Sequence, residues 1–273
     1  VYHPFRLTPE GNNREVVFNP LKLRDDGYYD MDFDNLEKVC DDKCRIFILC
    51  NPHNPAGICW RKETLQQLAD FCYDHHLLVI SDEIHCDMAI FGHKHIPFAT
   101  VSEKARENSI TFQAPTKTFN IAGIISSYAI IPNADIRKKF YGWIKANELD
   151  EANIFAPIAT IAAFTKGEEW RKSMLTYIED NVRFIEDYCK KNIPQIHPLR
   201  PQASFLVWLN CRELNLDHKD LLDLFIDKAH LALNDGEMFG QGGEGFMRMN
   251  IATPRSVIKQ ALDQLATAVN NLK

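Results

Sequence analysis

The 273-residue sequence lacks any apolar run long enough to span a membrane, so no membrane partner is expected. No charged-then-apolar leader pattern stands at its first residues. Positive charge is also short. Lys and Arg number 31 against 37 Asp and Glu, for a net charge of −6 and a pI of about 5.9. With no basic stripe either, nucleic acid is not an expected partner. Metal-ligand spacing is missing too. His85, Cys86, His93 and His95 fit no common zinc pattern, and Cys40 with Cys44 finds no second half. Eight cysteines spread over a chain this long do not read as a small-domain disulfide framework, which favours a reducing, cytoplasmic compartment. Internal repeats and low-complexity stretches are absent. So is an initiator methionine: Val1-Tyr2-His3-Pro4-Phe5 reads like the middle of a domain, and a preceding segment is expected.

What remains is globular, with 45% hydrophobic and 25% charged residues. Residues 45–50 read as a buried strand, and 62–75 as a helix with Leu65, Leu68 and Cys72 on one face. Leu77–Ile80, Ile110–Gln113 and Ile124–Ile131 read as further strands. Nearly continuous apolar strands separated by helix predict an α/β fold with a mostly parallel sheet covered on both faces. Beyond residue 133 the spacing predicts helices over 135–146, 152–164 and 168–191. Pro194, Pro198 and Pro201 mark a break. After it come a strand (204–209), a helix (218–229), a short strand near 231–233 and another strand (246–251). A last helix carries Ile258, Leu262, Leu265, Val269 and Leu272. The expected organisation is a partial large domain over 1–167, a linking helix over 168–192 and a smaller α+β domain over 193–273.

Polar motifs stand where predicted parallel strands end, the edge at which open α/β sheets bind ligands. Asn51-Pro52-His53-Asn54-Pro55-Ala56-Gly57 reads as a turn that presents an Asn amide. In Ser81-Asp82-Glu83-Ile84-His85, Asp82 closely follows four apolar residues and is expected to be half-buried, needing a cationic partner. Lys117, in Ala114-Pro115-Thr116-Lys117-Thr118-Phe119-Asn120, has small, apolar or hydroxylic neighbours. Desolvation there favours a neutral lysine suited to Schiff-base chemistry. Arg248 alternates with Phe246 inside a strand, so its burial calls for an anion. Gly240–Gly245 precedes a strand rather than opening a helix, which favours a loop beside the substrate over a phosphate cradle.

Together these motifs resemble pyridoxal-phosphate (PLP) enzymes of the aspartate-aminotransferase fold. More narrowly, they resemble the cystathionine β-lyase group often called MalY/PatB. The resemblance runs over essentially the whole chain and also takes in Gly240-Gln241-Gly242-Gly243-Glu244-Gly245 and Arg248-Met249-Asn250. It implies that Lys117 bonds to the cofactor aldehyde and shuttles the substrate Cα proton, and that Asp82 pairs with the pyridine nitrogen. Asn54 and His85 match positions that contact the phenolic oxygen. Arg248 matches the arginine that clamps the substrate carboxylate, and Tyr2 an aromatic near the cofactor. Phosphate recognition departs from the pattern. Ala114 stands where many relatives carry Ser, and Ile125 where many carry Arg, leaving Thr116, Ser126 and Ser127 to compensate. The implied function is a PLP-dependent carbon–sulfur β-lyase, with an aminotransferase or a non-catalytic fragment as alternatives. The implied assembly is a homodimer, with an amino acid as substrate.

Overall fold

In the computed structural model, which describes residues 1–24 and 26–272, two units separate. One gathers Val1–Val39, His53–Ile58 and the chain from Thr176 onward; the other gathers Cys40–Pro52 and Cys59–Leu175. The N-terminal stretch holds α1 (Pro4–Gly11), β1 (Lys22–Leu23), β2 (Tyr29–Asp30) and α2 (Phe33–Val39). Then follow β3 (Ile46–Cys50), α3 (Lys62–Asp74), β4 (Leu78–Asp82), α4 (Glu103–Glu107), β5 (Ser109–Gln113) and β6 (Tyr128–Ile130). Three helices succeed them: α5 (Ala134–Ala146), α6 (Phe155–Lys166) and α7 (Glu168–Asn192). The remainder is β7 (His197–Leu199), β8 (Leu206–Asn210), α8 (His218–Asp223), β9 (Asn234–Asp235), β10 (Phe246–Asn250) and α9 (Arg255–Asn270).

The second unit is built on a sheet of order β3-β4-β5-β6. β3, β4 and β5 run parallel, and β6 is antiparallel at the edge. In register, Cys50 lies opposite Asp82 and Asp82 opposite Phe112, so the strand ends align at one sheet edge. Helix α3 forms because Leu65, Leu68, Ala69 and Cys72 recur at helical spacing, and all four are buried. Burial of a leucine of this kind stabilises the fold by roughly 1.5–3 kcal/mol. Burial on the two sheet faces is uneven in β4, whereas in β5 the consecutive Ser109, Ile110 and Thr111 are all buried. Val79 and Ser81 are buried, whereas Leu78, Ile80 and Asp82 on the opposite face are only half-buried. The strand also runs on to Asp82 rather than stopping at Ile80. The strand expected over Ile124–Ile131 shrinks to Tyr128–Ile130, because Ile125 adopts a left-handed backbone (φ 51°) that no strand accommodates.

The first unit holds an antiparallel sheet of order β7-β8-β10-β9. Helix α9 covers part of its core with Ile258, Leu262, Leu265 and Val269; Leu272 falls beyond the helix end. The part of α7 in this unit contributes Ile178, Val182, Ile185 and Cys189 to the core. No strand forms over 231–233; the pairing moves to the polar Asn234–Asp235, whose Asn234 lies opposite Arg248. Among the described residues, no helix is long and apolar enough to cross a membrane.

Candidate active site

Two constellations carry the candidate chemistry, one in each unit. In the second unit, Asp82 closes β4. Its Oδ1 accepts the Ile84 backbone N–H at 3.1 Å, the one hydrogen bond its carboxylate receives among the described residues. Burial pushes its carboxyl above the ordinary carboxylate range. The Ile84 N–H opposes that shift, the charge of Glu83 adds to it, and Lys117 draws it back. A carboxylate so placed lacks a strong cationic donor and fits a ring N–H⁺. Asp82 and Lys117 are thus brought within electrostatic reach, as their strands suggested.

Lys117 itself departs from expectation. It sits in a turn after β5, held by Phe119 N to Pro115 O at 2.9 Å and Ile121 N to Thr116 O at 3.0 Å. Thr116 and Thr118 on either side of it are buried, and Lys117 takes the exposed position between them. The desolvation expected from its neighbours is therefore absent here: the flanking hydroxyl side chains take the inward direction. Thr118 Oγ1 is buried with no hydrogen-bond partner among the described residues, a polar atom the motif gave no reason to single out.

Nearby, His85 is buried three residues beyond Asp82. Asn51 anchors the end of β3, donating its backbone N–H to Asp82 O at 2.9 Å and its side-chain amide to Ile96 O at 3.0 Å. The phosphate-side candidates divide. Thr116 is buried, Ser127 is exposed, and Ser126 Oγ is engaged with Thr160 Oγ1 at 2.8 Å. Ile125 is exposed.

In the first unit, Arg248 lies in β10 between β8 and β9, opposite Trp208 and Asn234, so it is an interior-strand arginine. Its Nη1 donates to Asn54 Oδ1 at 2.9 Å and its Nη2 to Asn234 Oδ1 at 2.5 Å. The guanidinium carbon stands 4.6 Å from the Phe239 ring centre. Nε is buried without a partner, and no carboxylate pairs with Arg248 among the described residues. Burial lowers its pKa, while the Tyr2 phenol exerts a smaller upward pull. The group remains a cation. Asn54, Tyr2 and Arg248 are thus brought together. Neither Asn234 nor Phe239 was expected from sequence; pairing of β9 with β10 is what delivers the first.

The turn that carries Asn54 depends on Gly57. Its φ is 66°, and an added Cβ would meet Pro201 Cβ at 2.6 Å. Gly57 O also accepts Gln202 N at 2.7 Å and Ala203 N at 3.1 Å. Both Asn-Pro bonds of the motif, Asn51–Pro52 and Asn54–Pro55, are cis.

Comparison with known proteins gives a consistent picture. The chain matches the family described as aminotransferase class I and II over residues 11–265. It is 40% identical to cystathionine beta-lyase PatB of Bacillus subtilis, over 99% of this chain and 70% of that protein. It is 33% identical to protein MalY of Escherichia coli, over 100% of this chain and 69% of that one. Among solved structures, cystalysin from Treponema denticola, which contains a pyridoxal 5'-phosphate cofactor, superposes with a TM-score of 0.96 at 35% identity. That match covers 100% of this chain and 69% of cystalysin. The PLP-bound C-S lyase from Staphylococcus hominis gives a TM-score of 0.89 at 33% identity, covering 100% and 71%. The sheet with its aligned strand ends and the lysine turn are thus parts of a known architecture: the chain belongs to the aminotransferase class I and II family.

Proposed function

We propose that this chain carries the catalytic machinery of a PLP-dependent carbon–sulfur β-lyase. Its substrate class is cystathionine or related cysteine S-conjugates, and its products are a thiol, pyruvate and ammonia. The observation that carries the reading is 40% identity to a cystathionine beta-lyase along 99% of the chain. Two features support it independently: a half-buried carboxylate, Asp82, that receives one donor, and a half-buried guanidinium, Arg248, with no carboxylate partner among the described residues.

Bound PLP supplies an electron sink for the negative charge left at the substrate Cα. Asp82 would pair with the ring nitrogen and keep its proton in place. Lys117 would hold the cofactor aldehyde and move the proton at the substrate Cα. Asn54, whose Oδ1 accepts from Arg248, and His85 would each serve the phenolic oxygen. Arg248 binds the substrate carboxylate, where its planar fork exceeds a lysine in fit. Thr116 would serve the phosphate, and Tyr2 would stand near the cofactor. Residues 1–167 make up part of the PLP-binding domain, 168–192 the linking helix and 193–273 the small domain.

Two further readings accompany this one. Phe155, Ile158 and Ile161 on α6 are 68%, 66% and 63% exposed, which supports a homodimer. None of the eight cysteines forms a disulfide among the described residues, which supports a reducing, cytoplasmic setting.

Absorption spectroscopy tests the cofactor reading. PLP added to the purified protein is expected to give a visible band that Lys117→Ala loses. The same band in both proteins, or in neither, contradicts the assignment.

A further inference from the structure

Glu83 has no part in the chemistry proposed above, yet its surroundings are unusually complete. Its side chain is fully buried. Oε1 accepts the Ser81 hydroxyl at 2.9 Å and the Phe98 backbone N–H at 2.8 Å. Oε2 accepts from His95 Nε2 at 2.8 Å and from the Gln113 amide at 3.4 Å. Gln113 extends the chain, because its Oε1 accepts the Tyr128 hydroxyl at 3.1 Å. The Glu83 backbone N–H donates to Phe112 O at 2.8 Å.

One carboxylate therefore ties the end of β4 to the last residue of β5, through it to β6, and also to the loop that carries His95 and Phe98. Asp82 precedes Glu83 by one residue, and Lys117 follows Gln113 by four. A fully buried carboxylate is a costly way to fill space, since an apolar residue of similar volume serves packing as well or better. The four donors explain how the charge is tolerated; they do not explain why a charge stands there. Its location does, because it bridges β4, which ends at Asp82, to β5, after which comes the turn that holds Lys117.

We propose that Glu83 is a positioning residue of the lyase site, fixing the strand end that bears Asp82 relative to the strand end that leads to Lys117. The inference rests on the roles given above to those two residues. A second consequence follows from its charge. A fixed negative group beside Asp82 adds to the field that retains protons on the cofactor-side groups. The same field reaches Asp82 and Cys86, Asp87 adds to it at Cys86, and His95 is the titratable group bonded directly to the Glu83 carboxylate.

The test uses Glu83→Gln, which keeps the shape and removes the charge, and reads two quantities in the full chain loaded with PLP. One is the pH midpoint of the visible band; the other is the dissociation constant for PLP. The midpoint is expected to fall by about one pH unit. Affinity is expected to fall by about tenfold, the scale of a lost charge-assisted hydrogen bond. A folded variant with both values unchanged overturns the proposal, because a space-filling role predicts that result. Should Glu83→Gln fail to fold, Gln113→Leu cuts only the link to β5 and β6 and keeps the buried charge. A weakened PLP affinity with an unmoved midpoint supports the positioning role, and unchanged affinity overturns it. Absence of a band in the unsubstituted protein overturns the cofactor reading, and the inference with it. A normal band there combined with unaltered variants counts against Glu83 alone.

Discussion

Asp82 and Arg248 are each placed at some cost to the folded chain. Asp82 is pushed up by burial, so folding favours its protonated form. A raised carboxyl contributes stability that is fully present below the ordinary carboxylate range and lost as pH rises through the raised value. Near neutral pH the ionised Asp82 therefore works against folding of the cofactor-free chain. Asp82→Asn is expected to raise the melting temperature near neutral pH, to lose that advantage below the carboxylate range, and to abolish turnover. Thermal unfolding at the two pH values checks this, and a lowered melting temperature near neutrality contradicts it. Arg248 shows the same pattern with opposite charge: a desolvated cation whose Nε has no partner, held by two Asn oxygens and an aromatic face. Groups held in this way, short of a counter-charge, are ready for a ligand to complete them.

At the scale of elements, the sheet that carries Asp82 and Lys117 is framed by helices with specific caps. Asn133 begins α5, its Oδ1 accepting Asp135 N at 2.9 Å and Ile136 N at 3.2 Å. Its amide also donates to Glu107 O at 3.1 Å, at the end of α4. Asn133→Ala is expected to cost about 1–2 kcal/mol, measured as a lowered urea midpoint with an unchanged slope. An unaltered midpoint would show that the cap is dispensable. Apolar periodicity made such elements legible where it was strong: β3, α3, β5, α7 and α9 lie close to where their side-chain patterns put them. It misled where backbone conformation overrode side-chain type. Ile124–Ile131 looks like a strand, yet Ile125 turns left-handed and Ser126 pairs with Thr160 on α6. Two-residue strands such as β1 and β2 and the short helices α2 and α4 carry too little periodicity to be read. The site followed the same rule. Asp82 and Lys117 were visible because each follows a recognisable strand. The bond from Arg248 to Asn54 joins residues 194 apart, and no local pattern announces it. The solvent-facing placement of Lys117 was likewise hidden, because neighbouring residue types do not say which side chain of a turn points inward.

Over the whole molecule, the chain spans about 70% of the length of its relatives PatB and MalY. The apolar face of α6 is exposed over Phe155, Ile158 and Ile161, which is more contiguous apolar surface than scattered surface residues provide. Sedimentation of the purified protein is expected to show a dimer that Ile158→Asp shifts toward monomer; a monomer in both contradicts the homodimer reading. The reaction proposed for this chain is elimination rather than amino-group transfer. Both draw on the same lysine, carboxylate and arginine, and they differ in where the proton goes and whether a keto acid is consumed. The most direct measurement is pyruvate release from L-cystathionine by the PLP-loaded protein with no keto acid added. Steady multiple-turnover release that Lys117→Ala abolishes is expected. Turnover that appears only when a keto acid is supplied, with no pyruvate formed in its absence, would contradict it.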